Sequence, residues 1–219
     1  MSVVYNFYIS HWEKYNTGTL YLPWGYDVSM WVSSALFIIE GVYGPGFYKT
    51  YMFGYSFIRV FEVVIHSVGL LTTLPVAIYN VYLSRQTGSG QKYSLAESLK
   101  PISSLLAVTT VIIAWALLSK NDVLEQHPRA FIFLFGTLFS NIASRLIIAE
   151  MCHSRCELLN WQFWPLVAAF TTSLNYPMAE SGLLHAVLTL AVFAHVHYGV
   201  CVVRQICNHL KISCFMVPK

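Results

Sequence analysis

The chain has 219 residues, of which 56% are hydrophobic and only 11% charged, with a mean hydropathy of +0.56 and a formal net charge of +3. So few charges cannot cover the surface of a soluble domain of this size, which excludes an ordinary water-soluble fold and places the chain in a bilayer. Its scattered basic residues match no nucleic-acid motif, and five cysteines without framework spacing exclude a disulfide-stapled fold.

Residues 1–10, MSVVYNFYIS, are apolar and aromatic but too short to cross a hydrocarbon core of about 30 Å, which takes roughly 20 helical residues. They lack the basic n-region of a signal peptide and read as the end of a longer helix. Residues 11–27, HWEKYNTGTLYLPWGYD, then set Trp12, Tyr15, Tyr21, Trp24 and Tyr26 beside Glu13, Lys14 and Asp27, with the turn formers Asn16, Gly18, Pro23 and Gly25. That mixture predicts a polar, aromatic loop at a membrane surface.

Apolar runs follow at 28–43, 57–83, 101–119, 130–150, 160–178 and 183–203. The expected fold is therefore all-α, a polytopic transmembrane helix bundle of about six spanning helices plus a short N-terminal helix remnant. Residues 1–27 form the remnant and the aromatic loop, 28–203 the bundle, and 204–219 a C-terminal tail. Lys14, Arg85, Lys92, Lys100, Arg155, Arg204, Lys211 and Lys219 fall on one side of these spans, against Lys49, Lys120 and Arg129 on the other. By the positive-inside rule the richer side is cytoplasmic, together with both termini and the 84–100 loop.

Within 57–83, Arg59, Glu62 and His66 recur at i, i+3 and i+7 and share one helix face, an intramembrane polar face. Intramembrane charges mark sites by default, but Arg59 near a helix end can snorkel and Glu62 can simply neutralise it. The loop 84–100 contains Thr87-Gly88-Ser89-Gly90, with no following GK[ST] and no preceding strand, and reads as a flexible connection rather than a phosphate cradle. In KNDVLEQHPR, Asn121 or Asp122 can start a short helix and Pro128 suits a first helical turn; Glu125 and His127 are read as parts of a structural turn.

In 130–150, Gly136, Ser140 and Ser144 recur every four residues, a stripe that predicts a helix-packing seam. Asn141 and Arg145 stand at i and i+4 on a neighbouring face. There Arg145 either meets a lipid phosphate or pairs structurally with Glu150. Cys152, His153 and Cys156 lack a second ligand pair nearby, so a zinc site is not expected. On the last span His195 and His197 point to nearly opposite faces, at least one being a packing residue, while His195 and Tyr198, three apart, can face a common cavity.

The segments HWEKYNTG and LPWGYD, then LEQHPRAFIFLFGT at 124–137, the RC and LNW within 155–161, and AHVHYGVCVVRQ at 194–205 resemble, in order and spacing, the CDP-alcohol phosphotransferase family of membrane enzymes. Glu13-Lys14 and PWGYD resemble its ethanolamine branch more than its dual-specificity branch. The resemblance covers nearly the whole chain and corresponds to the part after the catalytic segment. It implies the reaction of CDP-ethanolamine with diacylglycerol to give phosphatidylethanolamine and CMP, in the endoplasmic reticulum or Golgi, with Mg or Mn as the family's metal. Glu13, Lys14, Asn141 and Arg145 are expected as substrate or lipid contacts, and the resemblance implies diacylglycerol and phospholipid as partners.

The family's chemistry resides in D-x2-D-G-x2-A-R-x8-G-x3-D-x3-D. This chain has two aspartates, Asp27 and Asp122, far apart and neither followed by Gly. A diphosphate-bound metal needs clustered carboxylates, so no catalytic residue, metal ligand or cofactor is assigned to this chain. Two expectations follow: the C-terminal membrane portion of an ethanolaminephosphotransferase, inactive alone and partnered by a catalytic half or a homologous subunit, or a non-catalytic membrane assembly partner.

Overall fold

A computed structural model of the chain describes residues 2–21, 25–52, 54–91 and 93–215. Pro23, Trp24, Lys92 and Lys219, assigned above to the aromatic loop or to the charge count, lie outside the described residues. The apolar runs become helices: α1 (Ser2–Thr17), α2 (Gly25–Tyr43), α3 (Phe57–Thr87), α4 (Leu95–Leu118), α5 (Val123–Gln126), α6 (Pro128–Met151), α7 (Phe163–Asn175) and α8 (Glu180–Leu210). A small antiparallel hairpin, Tyr51–Met52 against Tyr55–Ser56, precedes α3. The class is the expected all-α membrane bundle. Among the described residues, four helices are long and apolar enough to cross a membrane, namely Phe57–Thr87, Leu95–Leu118, Pro128–Met151 and Pro177–Leu210.

One of the six expected spans is shorter: α7 has 13 residues, a rise of about 20 Å at 1.5 Å per residue, whereas α2, Gly25–Tyr43, covers the whole of the expected run 28–43. The expected start of α7 at Asn160 is displaced because Asn160 and Gln162 are buried polar residues in the turn before the helix. Its end falls before Pro177, which opens a 3-10 turn instead. At the other boundary Pro128 stands at the first position of α6, where its missing N–H costs nothing.

The chain divides into two units. The first comprises Met1–Ser98 and Leu146–Arg155. Here α1 packs on α3. Tyr8, Ile9, Trp12, Glu13, Tyr15 and Asn16 are buried at three- and four-residue spacing on α1, and Thr73, Ala77 and Val81 on α3. Gly69 makes the approach possible: a Cβ there would run into the Asn6 side chain. The expected loop at 11–27 is therefore helical as far as Thr17, because His11 to Thr17 continue the face that α1 buries.

The second unit comprises Leu99–Arg145 and Cys156–Lys219, with α7 packed on α8. Its core centres on Trp115, fully buried, with Phe131 edge-on at 6.0 Å and Phe170 tilted at 6.4 Å between ring centres. On α6, Phe131, Leu134, Phe135, Leu138, Asn141 and Ile142 are buried. Gly136 and Ser140 lie about halfway round the helix at ~100° per residue. Ser140 is exposed, and a Cβ at Gly136 meets nothing within 4 Å. The small-residue stripe is not the packing face here; the broader face of large side chains is.

Candidate functional site

In the first unit the helical turn His11–Lys14 gathers polar groups inside apolar surroundings. Glu13 is 2% exposed, and its Oε1 accepts a hydrogen bond from Asn80 Nδ2 of α3 at 2.6 Å. Burial raises the Glu13 carboxyl above its ordinary value, with the Asn80 donor opposing that rise. Lys14 forms an ion pair with Glu150 at 3.1 Å. His11 is held below its ordinary value, first by burial and then by Lys14, against the opposite pull of Glu150. Its Nδ1 is buried without a hydrogen-bond partner.

The indole of Trp12 donates to the Ser98 carbonyl at 2.6 Å, and Arg85 donates to the Ser98 hydroxyl. The Gly-rich loop is stapled rather than free. The Gln91 N–H donates to the Asn16 carbonyl at 2.9 Å, and Gly90 passes so close that a Cβ would meet that carbonyl at 2.7 Å. Tyr93 then stacks on Tyr15 at 4.8 Å. Arg155 pairs with Glu97 at 2.9 Å, and His153 faces Gln91 at 3.2 Å, which fixes the turn after α6.

The second unit holds its own polar cluster. Asn141 is fully buried, and its Oδ1 accepts both Asn160 Nδ2 at 2.5 Å and Arg145 Nε at 3.1 Å. Its Nδ2 faces His195 Nδ1 at 3.5 Å. Arg145 is held over the Tyr198 ring at 4.6 Å, and its Nη1 lies 3.6 Å from Glu157. The partner of Arg145 is thus Glu157 rather than Glu150, which pairs with Lys14. The Glu157 side chain is 69% exposed, so this pair is screened and leaves the guanidinium open to other acceptors.

His195 and Tyr198 do share one surface, facing Asn141 and Arg145, while His197 is exposed and touches Cys201 at 3.8 Å. Arg59 and Glu62 are exposed on α3, and no ion pair joins them among the described residues. His66 Nδ1 lies 2.7 Å from the Glu62 carbonyl oxygen. Cys152 is exposed. Among the described residues no three His, Cys, Asp or Glu side chains come together as could hold a metal.

Asn80, Asn160 and Glu157 were not singled out by the sequence. The signal for Asn80 was a lone amide inside an apolar run, and for Asn160 its place in the LNW segment.

The chain is 38% identical to Ethanolaminephosphotransferase 1 of Mus musculus over 221 residues, covering 99% of this chain and 56% of that relative. The Homo sapiens protein of that name is also 38% identical, over 99% of this chain and 55% of the relative. Uncharacterized CDP-alcohol phosphatidyltransferase class-I family protein 2 of Dictyostelium discoideum is 25% identical over 97% of this chain and 51% of its own length. The chain thus spans about half the length of these curated relatives. No family model matches it.

Proposed function

Since the chain belongs to the CDP-alcohol phosphotransferase family, we propose that it is the membrane portion, corresponding to the C-terminal half, of an ethanolaminephosphotransferase-type enzyme of phosphatidylethanolamine synthesis. The observation that carries this reading is the 38% identity to Ethanolaminephosphotransferase 1 along 99% of the chain. The reaction proposed for the whole enzyme joins CDP-ethanolamine and diacylglycerol into phosphatidylethanolamine and CMP. Metal at the diphosphate and activation of the acceptor hydroxyl belong to the aspartate motif, supplied by a catalytic half or a homologous subunit.

In this reading Glu13 and Lys14 contribute substrate contact from a helix held by Asn80 and Glu150. Arg145, positioned by Asn141 and Tyr198 and only weakly engaged by Glu157, contacts a lipid phosphate. Arg59, Glu62 and His66 form an intramembrane polar face on α3. The protein resides in the endoplasmic reticulum or Golgi, with both termini cytoplasmic. The second reading, a non-catalytic assembly partner, is favoured by the presence of only Asp27 and Asp122 in the whole sequence.

The test is expression of this chain in membranes depleted of endogenous phosphotransferases. Transfer from labelled CDP-ethanolamine into lipid, with Mg or Mn present, is expected to stay at the empty-vector level with the chain alone. It is expected to rise when a segment carrying the aspartate motif is co-expressed. Transfer by the chain alone would sink the assignment of chemistry to a missing half, and no transfer in either case would favour the assembly partner.

A further inference from the structure

Within the second unit α7 is short, and hydrogen bonds fix the level of both its ends. At its exit the Asn121 amide donates to the Pro177 carbonyl at 2.7 Å, and the Trp115 indole donates to Glu180 at 2.9 Å. These bonds hold the exit beside the end of α4, where exposed Lys120 and Arg129 mark the water boundary. At its start Asn160 Nδ2 donates to Asn141 Oδ1 at 2.5 Å, and Ser103 Oγ donates to the Leu158 carbonyl at 3.3 Å. On α6, Asn141 lies about 18 Å along the axis from Arg129; on α4, Ser103 lies about 22 Å from Leu118. The start of α7 is therefore about 20 Å from that boundary, whereas a hydrocarbon core is about 30 Å thick.

What lies at this level is polar. The Glu157 side chain, 69% exposed, stands beside Arg145, which is about 24 Å from Arg129 along α6. In hydrocarbon an exposed carboxylate would be costly there, and so would the non-helical backbone of residues 156–162. Gln162 is 4% exposed, and neither end of its amide meets a protein partner among the described residues, a demand that water satisfies. Trp161 and Trp164 are exposed at the start of α7 and Tyr176 at its exit, as two aromatic belts only about 20 Å apart. Between them the outward polar groups close on the helix itself. The Thr171 hydroxyl donates to the Val167 carbonyl at 2.9 Å and the Asn175 amide to the Thr171 carbonyl at 2.9 Å, so acyl chains can cover this face.

We propose that the outward face of α7 fits a locally thinned bilayer, in which about 20 Å of hydrocarbon separates the headgroup layers and the nearer layer dips to Leu158 and Trp161. A helix shorter than the core is accommodated by thinning, by snorkelling or by oligomerising. Residues 157–180 contain no Lys or Arg to snorkel, and tilting only shortens the reach of the helix. A second copy on this face would have to take Glu157 away from water, whereas a dipping headgroup layer solvates it together with Arg145. The thinning follows from the membrane fold and is independent of the transferase reading.

Accessibility of single cysteines tests it. The full chain, with its five native cysteines replaced by serine and one cysteine returned, is placed in dioleoylphosphatidylcholine nanodiscs and treated with a charged, membrane-impermeant maleimide. Leu158→Cys and Trp161→Cys, both at exposed positions, are expected to react about tenfold or more faster than Ser140→Cys, which is exposed beside Asn141 and equally deep on α6. Ala168→Cys, within α7, is expected to react as slowly as Ser140→Cys. Two probe positions keep the comparison open if one variant departs from the parental thermal midpoint.

In dierucoylphosphatidylcholine, whose thicker core opposes the dip, the rate at Trp161→Cys is expected to fall several-fold. Rates at Leu158→Cys and Trp161→Cys no faster than at Ser140→Cys overturn the proposal. A fast rate that ignores acyl length also overturns it, since that marks an aqueous pocket lined by protein. Disulfide cross-linking of Trp164→Cys between chains in dilute proteoliposomes would assign the face to a second copy and overturn it as well.

Discussion

Lys14, near the start of the chain, and Glu150, at the end of α6, meet in an ion pair of 3.1 Å with side chains 29% and 16% exposed. The pair ties α1 to a helix end far away in sequence. Lys14→Met leaves Glu150 without its cation and should lower stability by about 1–2 kcal/mol, less than a fully buried pair would lose. Lys14→Met with Glu150→Gln should recover most of it. Thermal unfolding in detergent decides, and an unchanged midpoint in the single variant would remove the tie.

Glu13 and His11 make stability depend on pH in opposite directions. Because the folded Glu13 value is raised above 4.5, its contribution is fully present below 4.5 and is lost as pH rises through the raised value. Because the folded His11 value is lowered below 6.5, its contribution is present above 6.5 and is lost as pH falls through the lowered value. Glu13→Gln should therefore flatten the loss on the alkaline side, and His11→Gln the loss on the acid side. Midpoints of both variants recorded across pH 4 to 8 check the assignment, and a parallel shift at every pH would contradict it.

Asn141 serves two donors with one oxygen. Asn141→Leu strands the Asn160 amide and the Arg145 Nε–H and should cost about 2–4 kcal/mol, one to three for each orphaned donor less what water recovers. Replacing Asn160 by Leu as well should return part of that loss, since removing both partners is cheaper than removing one. A double-mutant cycle on thermal stability measures the coupling, and strict additivity would show that the two amides act independently.

Leu146 is 1% exposed, whereas Ser140 is exposed. Leu146→Ala should cost about 2–5 kcal/mol through lost contacts and a cavity. Ser140→Leu should fall within about 0.5 kcal/mol of the parent. The small-residue stripe implied the reverse order. Comparing the two midpoints in one detergent settles which face of α6 packs.

The basic residues set the orientation prediction: Ser89→Cys, in the turn after α3, should react with an impermeant maleimide from the cytoplasmic side of sealed microsomes. Reaction only after detergent opens the vesicles would invert the topology.

Sequence alone determined the class, the membrane environment and the family, because the signals are local: long apolar runs, few charges, and quoted segments in a fixed order. It also placed Asn141 and Arg145 together, since i and i+4 are neighbours on any helix. Tertiary structure decided the rest. It carried α1 as far as Thr17, since Trp12 and Glu13 find partners on Ser98 and Asn80. It shortened α7 by drawing Asn160 to Asn141, gave Arg145 to Glu157 and Glu150 to Lys14, and turned Gly136 and Ser140 away from the packed face. In apolar surroundings the position of a polar side chain is set by the one partner that satisfies it, and that partner lies at a distance neither hydropathy nor helical period encodes.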